Sequence, residues 1–369
     1  MTQRSIDHTF MARAIQLATK GLYATQPNPR VGCVIVLGDE IVGEGFHQQA
    51  GGPHAEVHAL KQAGSKAKNA TAYVSLEPCS HQGKTPPCAN ALIDAGISRV
   101  VCAMQDPNPL VAGQGIKKLQ DAGISVDCGI LRAEAEALNP GFIKRMKTGM
   151  PFVRVKLAMS LDGRTAMSSG ESKWITGEAA RTDVQRLRAR SSVILTGRGT
   201  VLADDPSMNV RLCADELGST IEPHQPLRAI IDGQLKISNE SNIFKQHGEC
   251  VVFTAVDESQ AKCFTASQVV SLPAATGKVD LVKTLRYLAE QQINEVHVEA
   301  GSELCGALLG LHLVDEIVIY MAPHIMGDSA KGLFHLPKLE AMSQRINLEI
   351  KEIRQIGKDW RLTVLPEYS

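Results

Sequence analysis

Apolar residues along the first 150 positions follow two rhythms, a helical one and a series of short continuous runs. Residues 7–21 carry Phe10, Met11, Ala14, Ile15, Leu17 and Ala18 on one face and stop at Gly21, the pattern of an amphipathic helix. Gln26-Pro27-Asn28-Pro29 is a stiff turn feeding a buried strand over 31–37, and Gly38-Asp39 turns the chain into a second over 41–47. Helices are predicted over 55–63, 88–95, 113–122 and 132–147. Strands over 72–76, 99–104 and 124–130 alternate with them. Such alternation predicts a layered α/β/α domain.

The pattern changes around Thr148-Gly149-Met150-Pro151. An apolar strand over 152–159 closes in Ser160-Leu161-Asp162-Gly163-Arg164. A helix over 178–190 follows, then a buried strand over 192–196 ending in Gly197-Arg198-Gly199-Thr200. Short strands over 227–232, 250–254 and 295–299, with a helix over 280–291, complete a second α/β unit. A chain of 369 residues can bury two cores. The expected domains are residues 1–148 and 149–369.

The chemistry of the first half centres on Pro53-His54-Ala55-Glu56, Glu77-Pro78-Cys79 and Pro86-Pro87-Cys88. One histidine and two cysteines supply three ligands for a tetrahedral zinc and leave a fourth position for water, whereas structural sites close with a fourth protein ligand. Glu56, two residues past the histidine, stands where zinc deaminases keep their general acid/base, in the signature H-x-E followed by P-C-x-x-C. The second cysteine lies further from the first than in that signature. His81 is a rival ligand or a loop residue lining the pocket. The predicted helix starting at Cys88 would favour a thiolate there. Hydrolytic deamination of an amino-substituted heterocycle is the expected reaction.

Composition narrows the substrate. The 39 basic and 39 acidic side chains cancel, and only 4% of residues are aromatic. A nucleic-acid groove needs basic and stacking residues, so a small molecule is expected instead. No apolar run approaches a membrane span and the N-terminus lacks a signal-peptide pattern. Nine cysteines, an odd number, do not suggest a disulfide framework. Cys33, Cys102, Cys128 and Cys305 read as buried thiols in a cytoplasmic chain.

The second half is less explicit. Glu299-Ala300-Gly301-Ser302-Glu303-Leu304 follows a strand and opens a helix, a place where phosphate meets backbone N–H groups, or only a turn. Of Arg181, Arg186, Arg188 and Arg190, one or two are expected to touch an anionic ligand and the rest to be solvated. Asn28 is either a turn residue or an amide that hydrogen-bonds substrate.

Further motifs run the length of the chain: Asn28-Pro29-x-Val31-Gly32, His54-Ala55-Glu56-Val57-His58-Ala59, Glu77-Pro78-Cys79-Ser80-His81-x-Gly83-Lys84, Thr85-Pro86-Pro87-Cys88, Asp106-Pro107-Asn108-Pro109, Ser160-Leu161-Asp162-Gly163, Gly170-Glu171-Ser172-x-Trp174-Ile175-Thr176, Ala203-Asp204-Asp205-Pro206 and Val298-Glu299-Ala300-Gly301. In these the chain resembles the bacterial bifunctional deaminase/reductase family of riboflavin biosynthesis. The poorest match is the stretch over 211–226, expected to be loop. The resemblance implies a cytidine-deaminase-like three-layer α/β/α domain followed by a dihydrofolate-reductase-like α/β domain. It implies Zn2+ on His54, Cys79 and Cys88, with Glu56 as proton shuttle. It makes Asn28 a substrate contact and Lys84, otherwise a solvated loop charge, a partner of the substrate phosphate. The substrates it implies are pyrimidine ribotides. The second cofactor is NADPH, whose hydride would pass to C1′ of the sugar. Cofactor contacts are implied at Ala158, Trp174, Thr200, Asp204, Gly301, Ser302, Glu303 and Leu304. Substrate contacts are implied at Ser172, Arg188, Met208, Arg211 and Glu299, with the two arginines suited to a bidentate grip on phosphate. Trp174 has the alternative of a core aromatic. The resemblance also implies a homo-oligomer.

Overall fold

A computed structural model describes residues 2–80, 86–109, 111–261, 264–337 and 339–368. Lys84 and His81 lie outside the described residues. The chain forms two compact units, Met1–Met150 with Cys213–Pro223, and Pro151–Leu212 with His224–Ser369.

The first unit runs α1 (Gln3–Ala18), β1 (Gly32–Leu37), β2 (Glu40–Phe46), α2 (Ala55–Ala63), β3 (Thr71–Val74), α3 (Cys88–Asp94), β4 (Arg99–Cys102), α4 (Gln114–Asp121), β5 (Ser125–Cys128), α5 (Arg132–Leu138) and α6 (Pro140–Thr148). Its sheet has the order β2-β1-β3-β4-β5. Strand β1 is antiparallel to both neighbours, and β3, β4 and β5 are parallel. Successive side chains of a strand point to opposite faces, and β1 supplies both. Cys33 and Ile35 pack with Ala55, Ala59, Ala89 and Leu92, while Val34 and Val36 pack with Met11, Ala14 and Leu17. Three layers, α/β/α, result.

Two expectations change here. The helix over 132–147 is broken at Asn139, because Pro140 cannot donate to the preceding turn. The break is used: Asn139 accepts from the Arg30 amide at 2.8 Å and donates to the Arg30 carbonyl at 2.9 Å. Cys128, expected buried, is exposed, because β5 is the sheet edge.

The second unit runs β6 (Phe152–Ser160), β7 (Arg164–Ala166), α7 (Glu178–Ala189), β8 (Val193–Gly197), α8 (Arg198–Asp204), β9 (Leu227–Ile231), α10 (Asn242–Lys245), β10 (Cys250–Thr254), α11 (Glu258–Ala261), β11 (Gln268–Ser271), α12 (Leu281–Glu290), β12 (Glu295–Val298), α13 (Ser302–Gly310), β13 (Glu316–Ala322), β14 (Lys331–Gly332), β15 (Asn347–Ile356) and β16 (Asp359–Glu367). The short helix α9 (Ala214–Leu217) falls in the first unit's excursion, within the stretch expected to be loop. The large sheet has the order β11-β10-β9-β8-β12-β6-β13-β16-β15. It is parallel from β11 through β13 and antiparallel thereafter. The β15–β16 hairpin has no counterpart in the sequence-based elements. Strand β15 is the sheet edge and exposed over almost its whole length, so no buried face imposes an apolar alternation.

The centre of this sheet buries charge. Arg154 on β6 and Glu295 on β12 are each 1% exposed and lie 3.1 Å apart, and Arg154 also pairs with Glu316 on β13. One guanidinium therefore links three neighbouring strands. Both tryptophans, Trp174 and Trp360, belong to this unit and report on it alone. Arg154→Met leaves Glu295 without its main counter-charge, so the tryptophan-fluorescence transition in urea should weaken by about 3–5 kcal/mol.

Candidate zinc and reductase sites

The zinc candidates meet at two helix starts. His54 is the N-cap of α2, and Cys88 is the first residue of α3. His54 Nδ1 lies 3.5 Å from Cys79 Sγ and 3.3 Å from Cys88 Sγ. The three ligand atoms all fall within 4.8 Å of one another. Ligand atoms bound about 2.0–2.3 Å from a tetrahedral centre stand roughly 3.3–3.8 Å apart, so the donor set fits zinc. The Cys88 amide donates to Cys79 Sγ at 3.3 Å. The Cys79 thiol is lowered to about 4: a hydrogen bond from the Cys88 thiol is the largest cause, and His54 and the Cys88 amide add to it. The partner thiol is pushed up.

Glu56, in the first turn of α2, is 3% exposed. Burial, then the charge of Cys79, raises its carboxyl above the ordinary value. A carboxyl so placed is suited to carrying a proton as well as accepting one. Asn28 reaches the same neighbourhood through His47. The His47 ring packs edge-on to His54, with centroids 5.3 Å apart, and its Nδ1 lies 3.1 Å from the Pro53 carbonyl. Donation to that carbonyl assigns the proton to Nδ1 and makes Nε2 the acceptor for the Asn28 amide at 3.1 Å.

The loop bearing Cys79 is held by Glu77. Its buried carboxylate accepts from the amides of Asp106 (3.1 Å), Gly113 (3.0 Å), Gly115 (2.9 Å) and Ile116 (3.2 Å). At Gly115 a Cβ would sit 1.9 Å from the Pro78 carbonyl oxygen, so only glycine admits this approach.

In the second unit, the order of strands reverses its direction of growth among β8, β12 and β6. Open α/β sheets bind ligands outside the carboxyl ends of strands at such a point. Ala158 near the end of β6, Thr200 in α8 after β8, and Gly301 to Leu304 after β12 all lie there. Cβ atoms at Gly199 and Gly301 would meet nothing within 4 Å, so both helix starts face open space. These residues fit a phosphate-bearing dinucleotide. Asp204 pairs with Lys173 at 3.2 Å. Trp174 is 70% exposed and stacks under Arg181 at 4.7 Å, which removes the alternative of a core aromatic. Ser172 is half-buried beside it in sequence.

Four expected substrate residues converge around one ion pair. Arg188 grips Glu299 at 2.6 and 3.0 Å, donates to the Asn209 carbonyl at 3.0 Å, and approaches Met208 Sδ at 3.7 Å. Burial opposes the charge on Glu299, but Arg188 and His297 hold it well below the usual carboxylate range. The fork of Arg188 is thus occupied by Glu299. Arg211 is exposed, and its side chain makes a 3.3 Å bond to Asn209.

The cytidine and deoxycytidylate deaminase zinc-binding region family matches residues 4–104, and the RibD C-terminal domain family matches residues 151–362. The riboflavin biosynthesis protein RibD of Escherichia coli strain K12 is 52% identical over 358 residues, covering 96% of this chain and 97% of that protein. The chain belongs to the RibD family. Among solved structures, Acinetobacter baumannii RibD superposes with a TM-score of 0.91 at 45% identity, covering 99% of this chain and 100% of that one. The diaminohydroxyphosphoribosylaminopyrimidine deaminase/5-amino-6-(5-phosphoribosylamino)uracil reductase of Thermotoga maritima gives 0.87 at 34% identity, with coverages of 99% and 100%.

Within this RibD-family chain, His47, which no sequence pattern singled out, holds the Asn28 amide. Glu77, quoted in its motif without a role, holds the loop bearing Cys79. Near Glu299, His297 Nε2 lies 3.2 Å away, and burial pushes that imidazole down. Burial also lowers Lys156, with Glu299 opposing and Arg188 adding to the effect. One signal was available: Arg154 and Lys156 are cations in a central strand of a parallel sheet, where both faces are buried and charge must be answered.

Glu56→Gln keeps the three ligand atoms and removes the proton carrier. Ammonia release should fall roughly a hundred- to ten-thousand-fold, with zinc content by mass spectrometry unchanged. Cys88→Ser should instead lose the metal.

Proposed function

We propose that residues 1–148 hydrolytically deaminate 2,5-diamino-6-(5-phosphoribosylamino)pyrimidin-4(3H)-one. Residues 149–369 then reduce the ribosyl group of 5-amino-6-(5-phosphoribosylamino)uracil to ribityl, as a step of riboflavin biosynthesis. The observation that carries this reading is the His54, Cys79 and Cys88 cluster, with Glu56 buried beside it, in a chain of the RibD family.

Zinc, when bound, supplies an acidified water. Glu56 would carry one proton from that water to the ring nitrogen and a second, from the hydroxyl added to the ring, to the departing ammonia. Asn28, aligned by His47, offers its amide oxygen to the substrate. Burial around Glu56 excludes bulk water, which would otherwise compete for the proton. Lys84 is assigned to the substrate phosphate on the family motif alone.

NADPH, when bound, supplies a hydride. The helix starts at Thr200 and at Gly301, Ser302, Glu303 and Leu304 receive its phosphates, with Ala158, Trp174 and Asp204 lining the same cofactor. Ser172, Met208 and Arg211 receive the ribotide, and Arg188 contributes its charge from beneath. Glu299, kept ionised by Arg188, can accept a hydrogen bond from the ribotide. The two carbons exchanging hydride must be held at near-attack distance.

No helix among the described residues is long and apolar enough to cross a membrane. We assign the chain to the cytoplasm, where its free thiols remain reduced. A homo-oligomer is supported by Leu348, Ile350 and Ile353, exposed along the edge strand β15.

The test is to give the purified, zinc-loaded chain the diaminopyrimidinone ribotide with and without NADPH and follow products by mass spectrometry. Ammonia is expected without NADPH, and a gain of two hydrogens only with it. Deamination without reduction would remove the second activity, and no reaction would remove the substrate assignment.

A further inference from the structure

Strands β4 and β5 run parallel, and their register sets Cys102 directly beside Cys128. Residues paired in this way share a face of the sheet, and neighbouring strands lie about 4.7–4.9 Å apart. That spacing is inside the roughly 4.4–6.8 Å over which Cα atoms are bridged by a disulfide. The Cys102 sulfur also lies 3.5 Å from the carbonyl of Asp127, the residue before Cys128. Both are free cysteines, Cys102 fully buried and Cys128 exposed on the sheet edge. Neither takes part in the zinc cluster or in the proposed chemistry.

We propose that Cys102 and Cys128 are an oxidisable dithiol, a modification site on the first unit that hydrogen peroxide converts to an intrachain disulfide. The Cys128 sulfur, reached from solvent, attacks one peroxide oxygen. The O–O bond breaks, and a sulfenic acid and water result. The Cys102 sulfur then attacks the Cys128 sulfur, the S–S bond forms, and the hydroxyl leaves as a second water. Two thiols lose two electrons and two protons in total, and one peroxide becomes two waters. Cys128 is also the more acidic of the two: the neighbouring Cys102 thiol is the largest cause and Arg132 adds to it, lowering the thiol to about 7. A thiolate on the accessible partner gives the order of attack written here.

The full zinc-loaded chain is treated with hydrogen peroxide, quenched with an alkylating agent and digested with trypsin. Cleavage after Arg99, Lys117, Lys118 and Arg132 puts the two cysteines on separate peptides. One linked species lighter by two hydrogens is expected, with zinc retained and the link released by dithiothreitol. Cys128→Ser, a substitution at an exposed position, should fold and show no link to Cys102. Recovery of the two peptides unlinked from the wild type, whether untouched or with oxygens on Cys128, overturns the proposal. So does a link from either cysteine to another residue.

Discussion

Helix α2 lies on the β1–β2 hairpin at backbone contact, and the placement of the zinc cluster depends on that distance. Cβ atoms at Gly43 and Gly45 would fall 2.2 Å from the Ala59 carbonyl oxygen and 2.4 Å from that of Ala55. The helix answers with its own small residues, Ala55, Ala59 and Ala63, all buried against the sheet. A larger side chain on either surface would lift the helix start. His54 and Glu56 would then leave the position from which they face Cys79 and Cys88. Close packing transmits such shifts, because protein interiors have little free volume to absorb them.

The opposite wall of the cluster is held by polar rather than apolar contact. Four amides converge on Glu77, one residue before the proline that precedes Cys79. A buried carboxylate is costly unless fully hydrogen-bonded, and here the donors come from the loop and helix that follow β4. The ligand loop therefore belongs energetically to a distant part of the chain. One wall is set by the absence of side chains, the other by a charge that must be satisfied.

The second unit places its buried charges differently. Arg154, Lys156, His297 and Glu299 stand on the central strands β6 and β12 or just past β12, in the part of the sheet least accessible to water. Arg154 is balanced by Glu295 and Glu316, and Glu299 by Arg188. The first set ties strands together. The second sits at the carboxyl ends of the strands, so the same kind of pairing there leaves a charged group where open α/β sheets bind ligands.

Sequence alone determined the alternation of strands and helices, the two α/β units, and His54, Glu56, Cys79 and Cys88. These are local facts: a period, a turn, or a motif whose residue types state their chemistry. It did not determine the edge hairpin β15–β16, whose exposure removes the alternation that reveals strands. The break at Asn139 and the exposure of Cys128 were missed because each depends on a partner remote in the chain or on a strand's place in the sheet. His47 and Lys156 were equally unreadable, and so was the role of Glu77 within its motif, since such a side chain acquires meaning only from what surrounds it. Which strands became central, and hence which charges had to be paired and which thiols were brought side by side, was decided by the tertiary structure. Burial and cross-strand register are properties of the assembled sheet, and no segment carries them by itself.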